Sequence, residues 1–165
     1  MNSIATGSLA PSNLVELMEL NQAYADCLDS GDLCAWQNLF TPDGIYKAQG
    51  RENFDRGLPL TAMFCQGRGM FEDRVTVITK IMVYAPRYLR HVVSAPRVLG
   101  SAGSLIRART SFSIFHTLPH EPTTLLSVGR YEDELLLDAV GAMKFRSRAA
   151  VYDSLLIPNS LVYPL

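Results

Sequence analysis

Tyr24, Tyr46 and His91 are the side chains of this sequence that could do acid–base chemistry on a carbonyl compound. Two phenols can polarise a carbonyl oxygen while an imidazole moves a proton, provided the three converge on one pocket. Tyr24 falls in a helical stretch and Tyr46 in a short extended run. His91 shares the apolar face of a longer strand with Leu89 and Val93. Asp26 is a fourth candidate, but two positions on a helix turn it about 200° from Tyr24, so at most one of the two faces a pocket. Each residue also has a plainer reading. Tyr24 fits the core with its hydroxyl bonded to a neighbour, and His91 fits as a buried histidine with satisfied nitrogens.

Other chemistries find fewer residues. His116 and His120 are separated by Pro119 and a turn, so they cannot share a helix face as a metal pair would require, and they read as solvent-facing. Cys27, Cys34 and Cys65 are odd in number and form no C-x-x-C pair, which argues against a disulfide framework or zinc knuckle and for a reduced, cytoplasmic protein. There is no phosphate loop, dinucleotide fingerprint or nucleophile elbow. Neither a C-x-H…C-x-x-H set for a Rieske cluster nor a two-histidine, one-carboxylate iron site is present, so no cofactor or metal is expected in this chain. Arg74, Arg87, Arg90 and Arg97 are crowded into one region. They read either as a solvated basic face or as contacts across a subunit boundary, where arginine is favoured.

The elements that must position these groups fall in two halves. Residues 1–12 are small, polar and expected to be loose. Asn13 and Glu16 have capping-box spacing, so a helix is expected from Asn13, burying Leu14, Leu17, Met18, Tyr24, Ala25 and Leu28 and stopping at Gly31. Asp32 can cap a second helix carrying Leu33, Trp36, Leu39 and Phe40. Thr41-Pro42-Asp43-Gly44 is a turn, residues 45–48 a strand, 49–57 a loop and 60–66 a second strand. The stretch from Phe71 to Leu99 is the hub. Phe71, Val75, Ile78 and Met82 share a helix face, with Glu72 and Asp73 near its start and Pro86 ending it. From Leu89 the pattern alternates as a strand. Gly100 to Ser104 is a turn, and three longer strands follow (105–118, 123–136 and one centred on 143–152) as an antiparallel meander, Gly129 marking a bulge. In the last strand Met143, Phe145, Ser147, Ala149 and Val151 oppose Lys144, Arg146, Arg148 and Tyr152. The apolar tail from Ser154 to Leu165 docks either on this domain or on a neighbour. The whole is read as one α+β domain over residues 13–165.

The formal net charge of −1 offers no field to attract nucleic acid or a membrane surface. No apolar run approaches the ~20 residues of a spanning helix. Met1 to Ala10 lacks the basic start and apolar middle of a signal peptide, so export is not expected.

Several stretches taken together resemble a known family. They are Glu72-Asp73-Arg74-Val75, Arg90 to Val98, Asn53-Phe54 with Gly57-Leu58-Pro59-Leu60, and the ending Val151-Tyr152-Asp153-Ser154…Ile157-Pro158-Asn159-Ser160…Tyr163-Pro164. In order and spacing these are similar to the small, or beta, subunit of aromatic-ring-hydroxylating oxygenases, nearest the salicylate 5-hydroxylase branch and close to the anthranilate and terephthalate dioxygenases. The resemblance implies a cone-shaped, nuclear-transport-factor-like (cystatin-like) α+β fold, with a curved antiparallel sheet of about six strands on three helices from the N-terminal half. It implies a structural, non-catalytic chain in a complex that oxygenates an aromatic carboxylate. The large, alpha subunit would carry the Rieske 2Fe-2S cluster and mononuclear Fe(II), fed from NAD(P)H by a reductase and often a ferredoxin. Three copies of each subunit would form a heterohexamer. Subunit contacts are then expected at Arg74, Arg87, Arg90, Arg97, Tyr152, Asp153, Asn159 and Tyr163. The competing readings are a free-standing cone-fold dehydratase or isomerase using His91 with Tyr24 and Tyr46, and a small-molecule binder without chemistry.

Overall fold

The computed structural model describes residues 10–138, 141–154 and 161–165. Helix α1 (Pro11–Ser30) begins earlier than the capping box implies, because Pro11 takes a first-turn position that needs no N–H donor. Asn13 is thereby drawn inside the helix, and Glu16 instead accepts the backbone N–H of Met143 at 2.6 Å. Gly31 ends the helix in the left-handed region, φ 77°. The buried stripe is Leu17, Leu20, Asn21, Tyr24, Ala25 and Leu28. Leu14 and Met18, expected inside, are exposed on its flank. Asp32 caps α2 (Leu33–Asn38), its carboxylate accepting the Ala35 N–H at 2.9 Å.

Strand β1 (Phe40–Gly50) is longer than expected. The Thr41-Pro42-Asp43-Gly44 turn sits inside it as an irregularity between Phe40 and Ile45. The expected loop after it holds a short helix, α3 (Arg51–Asp55). Strand β2 (Met63–Gln66) pairs antiparallel with β1. Helix α4 (Gly67–Thr76) starts before Phe71 and continues as a π-helical segment, Val77–Ile81. That segment, not Pro86, ends the helix, closed by a bond from the Met82 N–H to the Val77 carbonyl at 2.8 Å. The predicted apolar face holds, with Phe71, Val75 and Ile78 buried.

Strands β3 (Tyr88–Val93) and β4 (Arg97–Ala102) both pair with β5 (Leu105–Thr117), each along a different half of it. The sheet thus has seven strands where about six were expected. Strands β5, β6 (Thr124–Leu137) and β7 (Met143–Tyr152) form the predicted antiparallel meander. The order is β2-β1-β7-β6-β5-β3, with β4 beside β3 on β5. The β1–β7 pair is parallel, so the sheet is mixed and not wholly antiparallel. The curved sheet closes over α1, α2 and α4 as a cone whose interior is aromatic: Tyr24, Trp36, Phe40, Tyr46, Phe71, Phe112, Tyr131 and Phe145 are all buried. Among the described residues no helix is long and apolar enough to cross a membrane.

Gly129 is not a bulge. It pairs regularly with Phe112 and Tyr152, and the interruptions fall at Ile114/Phe115 and Glu134/Leu135. Glycine is required there for space: a Cβ would lie 2.1 Å from the Val151 carbonyl oxygen and 2.9 Å from the Phe112 ring. Gly129→Ala should therefore cost about 1–3 kcal/mol or more through forced backbone movement. Urea titration of the variant checks this, and an unchanged midpoint would refute the close-packing argument.

Candidate functional site

Tyr24 on α1 and Tyr46 on β1 come together inside the cone, without His91. What they meet is the chain itself. The Tyr24 hydroxyl donates to the main-chain carbonyl of Leu165 at 2.6 Å. The Leu165 N–H donates to the Tyr46 hydroxyl at 2.8 Å, and that hydroxyl lies 3.4 Å from the same carbonyl. Burial pushes the Tyr24 phenol up to about 12, partly opposed by the nearby Arg148 charge, and pushes Tyr46 well above the ordinary tyrosine value. Both therefore stay protonated and able to donate. Leu165 and Val162 are buried in the core cluster. The pocket that remains beside residues 161–165, bounded by Leu89, Ile114 and Leu126, has a volume of about 10 Å³, room for one water at most. Residues 161–165 of the tail thus dock on their own domain.

His91 has a different partner. Its Nδ1 lies 2.6 Å from Asp29 Oδ1, and its backbone N–H also donates to that carboxylate at 3.0 Å. Asp29 comes from the last turn of α1, so the contact ties that helix to β3. A carboxylate oxygen accepts, so this contact places a proton on Nδ1. An oriented imidazole of this kind can serve as a base, but the His91 ring is fully buried and its Nε2 has no hydrogen-bond partner among the described residues. Asp26 is exposed and bonded by Gln22, as its position on the helix implies.

The strongest charge in the cone was not anticipated. Simple alternation sets Arg148 opposite Met143 and Phe145, yet its side chain is wholly buried with theirs. The cause is the irregularity at Arg146: Glu134 pairs with Ser147 but Leu135 with Phe145, so alternation restarts one residue out of step and Arg148 turns inward. There it grips Asp133 with two bonds, 2.9 and 2.8 Å. It also donates to the side-chain oxygen of Asn21, whose amide nitrogen in turn donates to the Thr110 hydroxyl. The rings of Phe145, Tyr131 and Tyr24 lie 3.9, 4.1 and 4.2 Å from its guanidinium. Burial raises the Asp133 carboxyl while Arg148 pulls it back; the two-point bond favours the ionised pair. One signal for this centre was available in the sequence: Asn21 is a polar residue at a stripe position of α1.

The described residues among the expected subunit contacts lie at or near the surface. Arg74 is half-buried on α4 beside Cys65, whose thiol it pulls down against the larger effect of burial. Arg87 stacks over Tyr84 at 5.6 Å, and Tyr84 meets Tyr163 hydroxyl to hydroxyl with ring centroids 5.4 Å apart. Arg90 and Arg97 are exposed, Arg90 standing 3.8 Å from Asp29. Tyr152 is half-buried under Gly50, and Asp153 pairs with Arg51 at 3.4 Å. Asn159 lies outside the described residues. Among the described residues no group of three histidine, cysteine or carboxylate side chains could hold a metal ion.

Comparison with known proteins agrees with this architecture. Residues 13–149 match the SnoaL-like domain family. The small subunit of anthranilate 1,2-dioxygenase from Burkholderia cepacia is 24% identical over 150 residues, 91% of this chain and 92% of that one. The crystal structure of the beta subunit of an aromatic-ring-hydroxylating dioxygenase from Novosphingobium aromaticivorans superposes with a TM-score of 0.85 at 32% identity, covering 96% of this chain and all of that one. The beta subunit of benzoate 1,2-dioxygenase from Burkholderia mallei, 13% identical with a TM-score of 0.69 and 93% of each chain covered, shares the fold. The chain belongs to the SnoaL-like domain family and, within it, to the small (beta) subunits of aromatic-ring-hydroxylating dioxygenases.

Proposed function

We propose that this chain is a structural, non-catalytic small subunit of an oxygenase that acts on an aromatic carboxylate. One observation carries the reading. The two phenols that a cone-fold dehydratase or isomerase would turn on a substrate carbonyl are occupied by the carbonyl and N–H of Leu165. A base such as His91 has no substrate space beside it when the cone is filled by the chain's own aromatic residues and tail. The anthranilate dioxygenase relative, named for an aromatic carboxylate substrate, supports a salicylate-, anthranilate- or terephthalate-like substrate class. In this reading the chain acts in the cytoplasm. The Rieske cluster and mononuclear iron belong to the alpha subunit, reached by electrons from NAD(P)H through a reductase and often a ferredoxin. Three copies of this chain join three alpha subunits, and the exposed arginines at Arg90 and Arg97 face a neighbour.

The mass and iron content of the native complex test the proposal. The isolated chain should turn over no aromatic substrate and bind no iron, and co-expression with the large subunit should yield a stable iron-containing assembly. Turnover by the isolated chain, or a chain that stays monomeric beside its large subunit, would overturn it. Arg90→Glu combined with Arg97→Glu should leave the melting temperature of the chain nearly unchanged, because both side chains are exposed. The same variant should reduce the yield of assembled complex severalfold in size-exclusion chromatography.

A further inference from the structure

We propose that the groove between β2 and α4 receives an extended segment of the large subunit, which adds to β2 as a further strand and sets a carboxylate on Arg74; the step rests on the subunit reading. Strand β2 ends the sheet and is paired with β1 alone. Among the described residues no backbone hydrogen bond reaches it from its open side. A free edge is usually blunted by lysine, proline or a bulge. This one carries none of them and displays Phe64, 40% exposed. Beside it, Met70, Asp73, Arg74 and Val77 fall three or four residues apart along α4 and the start of its π-helical continuation, and so share a face. With Phe64 and Cys65 they line an open groove of about 310 Å³. Met70 is exposed there despite its apolar side chain. Arg74 is half-buried beside the Cys65 thiol and has no carboxylate partner among the described residues, the neighbouring Glu72 being taken by Arg68 at 3.0 Å. A guanidinium in the wall of an apolar groove favours an incoming carboxylate once the groove is covered. Main-chain pairing along β2 would supply affinity, and the groove with Arg74 would select an apolar and an acidic side chain on one face of the added strand. A second copy fits less well. Antiparallel pairing of β2 with β2 brings Met63, Phe64, Cys65 and Gln66, none of them a carboxylate, and closes a twofold dimer where three copies need a threefold.

The experiment co-expresses the full chain with its large subunit and compares amide hydrogen exchange in the isolated chain and in the complex. Residues 63–66 should exchange at least about tenfold more slowly in the complex, and readily in the isolated chain at low and high concentration alike. Phe64→Lys places a common edge-strand guard at an exposed position. It should keep the melting temperature of the chain within about 3 °C of the parent and weaken assembly at least about tenfold, read as the concentration at which the complex dissociates. Arg74→Gln should weaken assembly roughly tenfold and flatten its dependence on salt, while Arg74→Lys keeps part of both. Unchanged exchange at 63–66 in an intact complex would overturn the proposal and leave the subunit reading standing. So would a Phe64→Lys chain that assembles like the parent, or an Arg74→Gln chain with the parent's affinity and salt dependence. Slowed exchange at 63–66 that appears in the isolated chain as its concentration rises would assign the edge to a second copy and overturn the proposal as well. A parent chain that forms no complex at all is a different failure: it defeats the subunit reading, and the docking of that partner with it.

Discussion

Arg148→Met lowers the stability of the chain by about 3–5 kcal/mol, because it strands the Asp133 carboxylate in the cone without its partner. For a chain of this size that is a fall of roughly 10–15 °C in melting temperature. The two side chains are completely buried and joined by two hydrogen bonds, so no solvent screens the loss. Arg148→Lys should fare little better, since an ammonium cannot span both carboxylate oxygens, reach Asn21 and lie flat against three rings. The double variant Arg148→Met with Asp133→Leu should recover most of the stability, because a matched apolar pair carries no desolvation penalty. Chemical denaturation of the three variants decides the matter. A single variant as stable as the parent would show that the pair is not what orders the middle of β6 and β7.

The second large effect is expected in alkali. Tyrosines in an unfolded chain ionise near pH 10. In the fold, burial pushes Tyr24 up to about 12 and raises Tyr46 and Tyr131 well above the ordinary value. A folded-state pKa above the unfolded one means that the fold favours the neutral phenol. The resulting stabilisation is fully present below pH 10 and is lost as the pH climbs from 10 through the raised folded values, about 12 for Tyr24. Each such tyrosine contributes a slope of about 1.4 kcal/mol per pH unit in that window. Three together should unfold the chain cooperatively within it. Urea midpoints followed alongside tyrosinate absorbance will show the three phenols ionising only as the chain unfolds. Tyr24→Phe should shallow the slope by about one proton. A stability that stays level into this range would contradict the full burial of these rings.

Much of the fold was legible locally. The stop at Gly31, the cap at Asp32, and the buried Phe71, Val75 and Ile78 each depend on neighbours within a few residues, where periodicity and capping chemistry operate. Tyr24 and Tyr46 stood out by type, and Asp29 was hidden only because its histidine lies 62 positions away. What the sequence by itself determined, then, was the run of element types and the presence of two phenols at Tyr24 and Tyr46. The tertiary structure alone decided three things. It turned Arg148 inward, because one extra residue at Arg146 inverts an alternation that has a period of two. It set β1 parallel to β7, a pairing between the beginning and end of the chain that no local signal encodes. And it brought Leu165 to Tyr24 and Tyr46 across 141 and 119 positions, a contact set by how an apolar tail escapes water and not by any spacing along the chain.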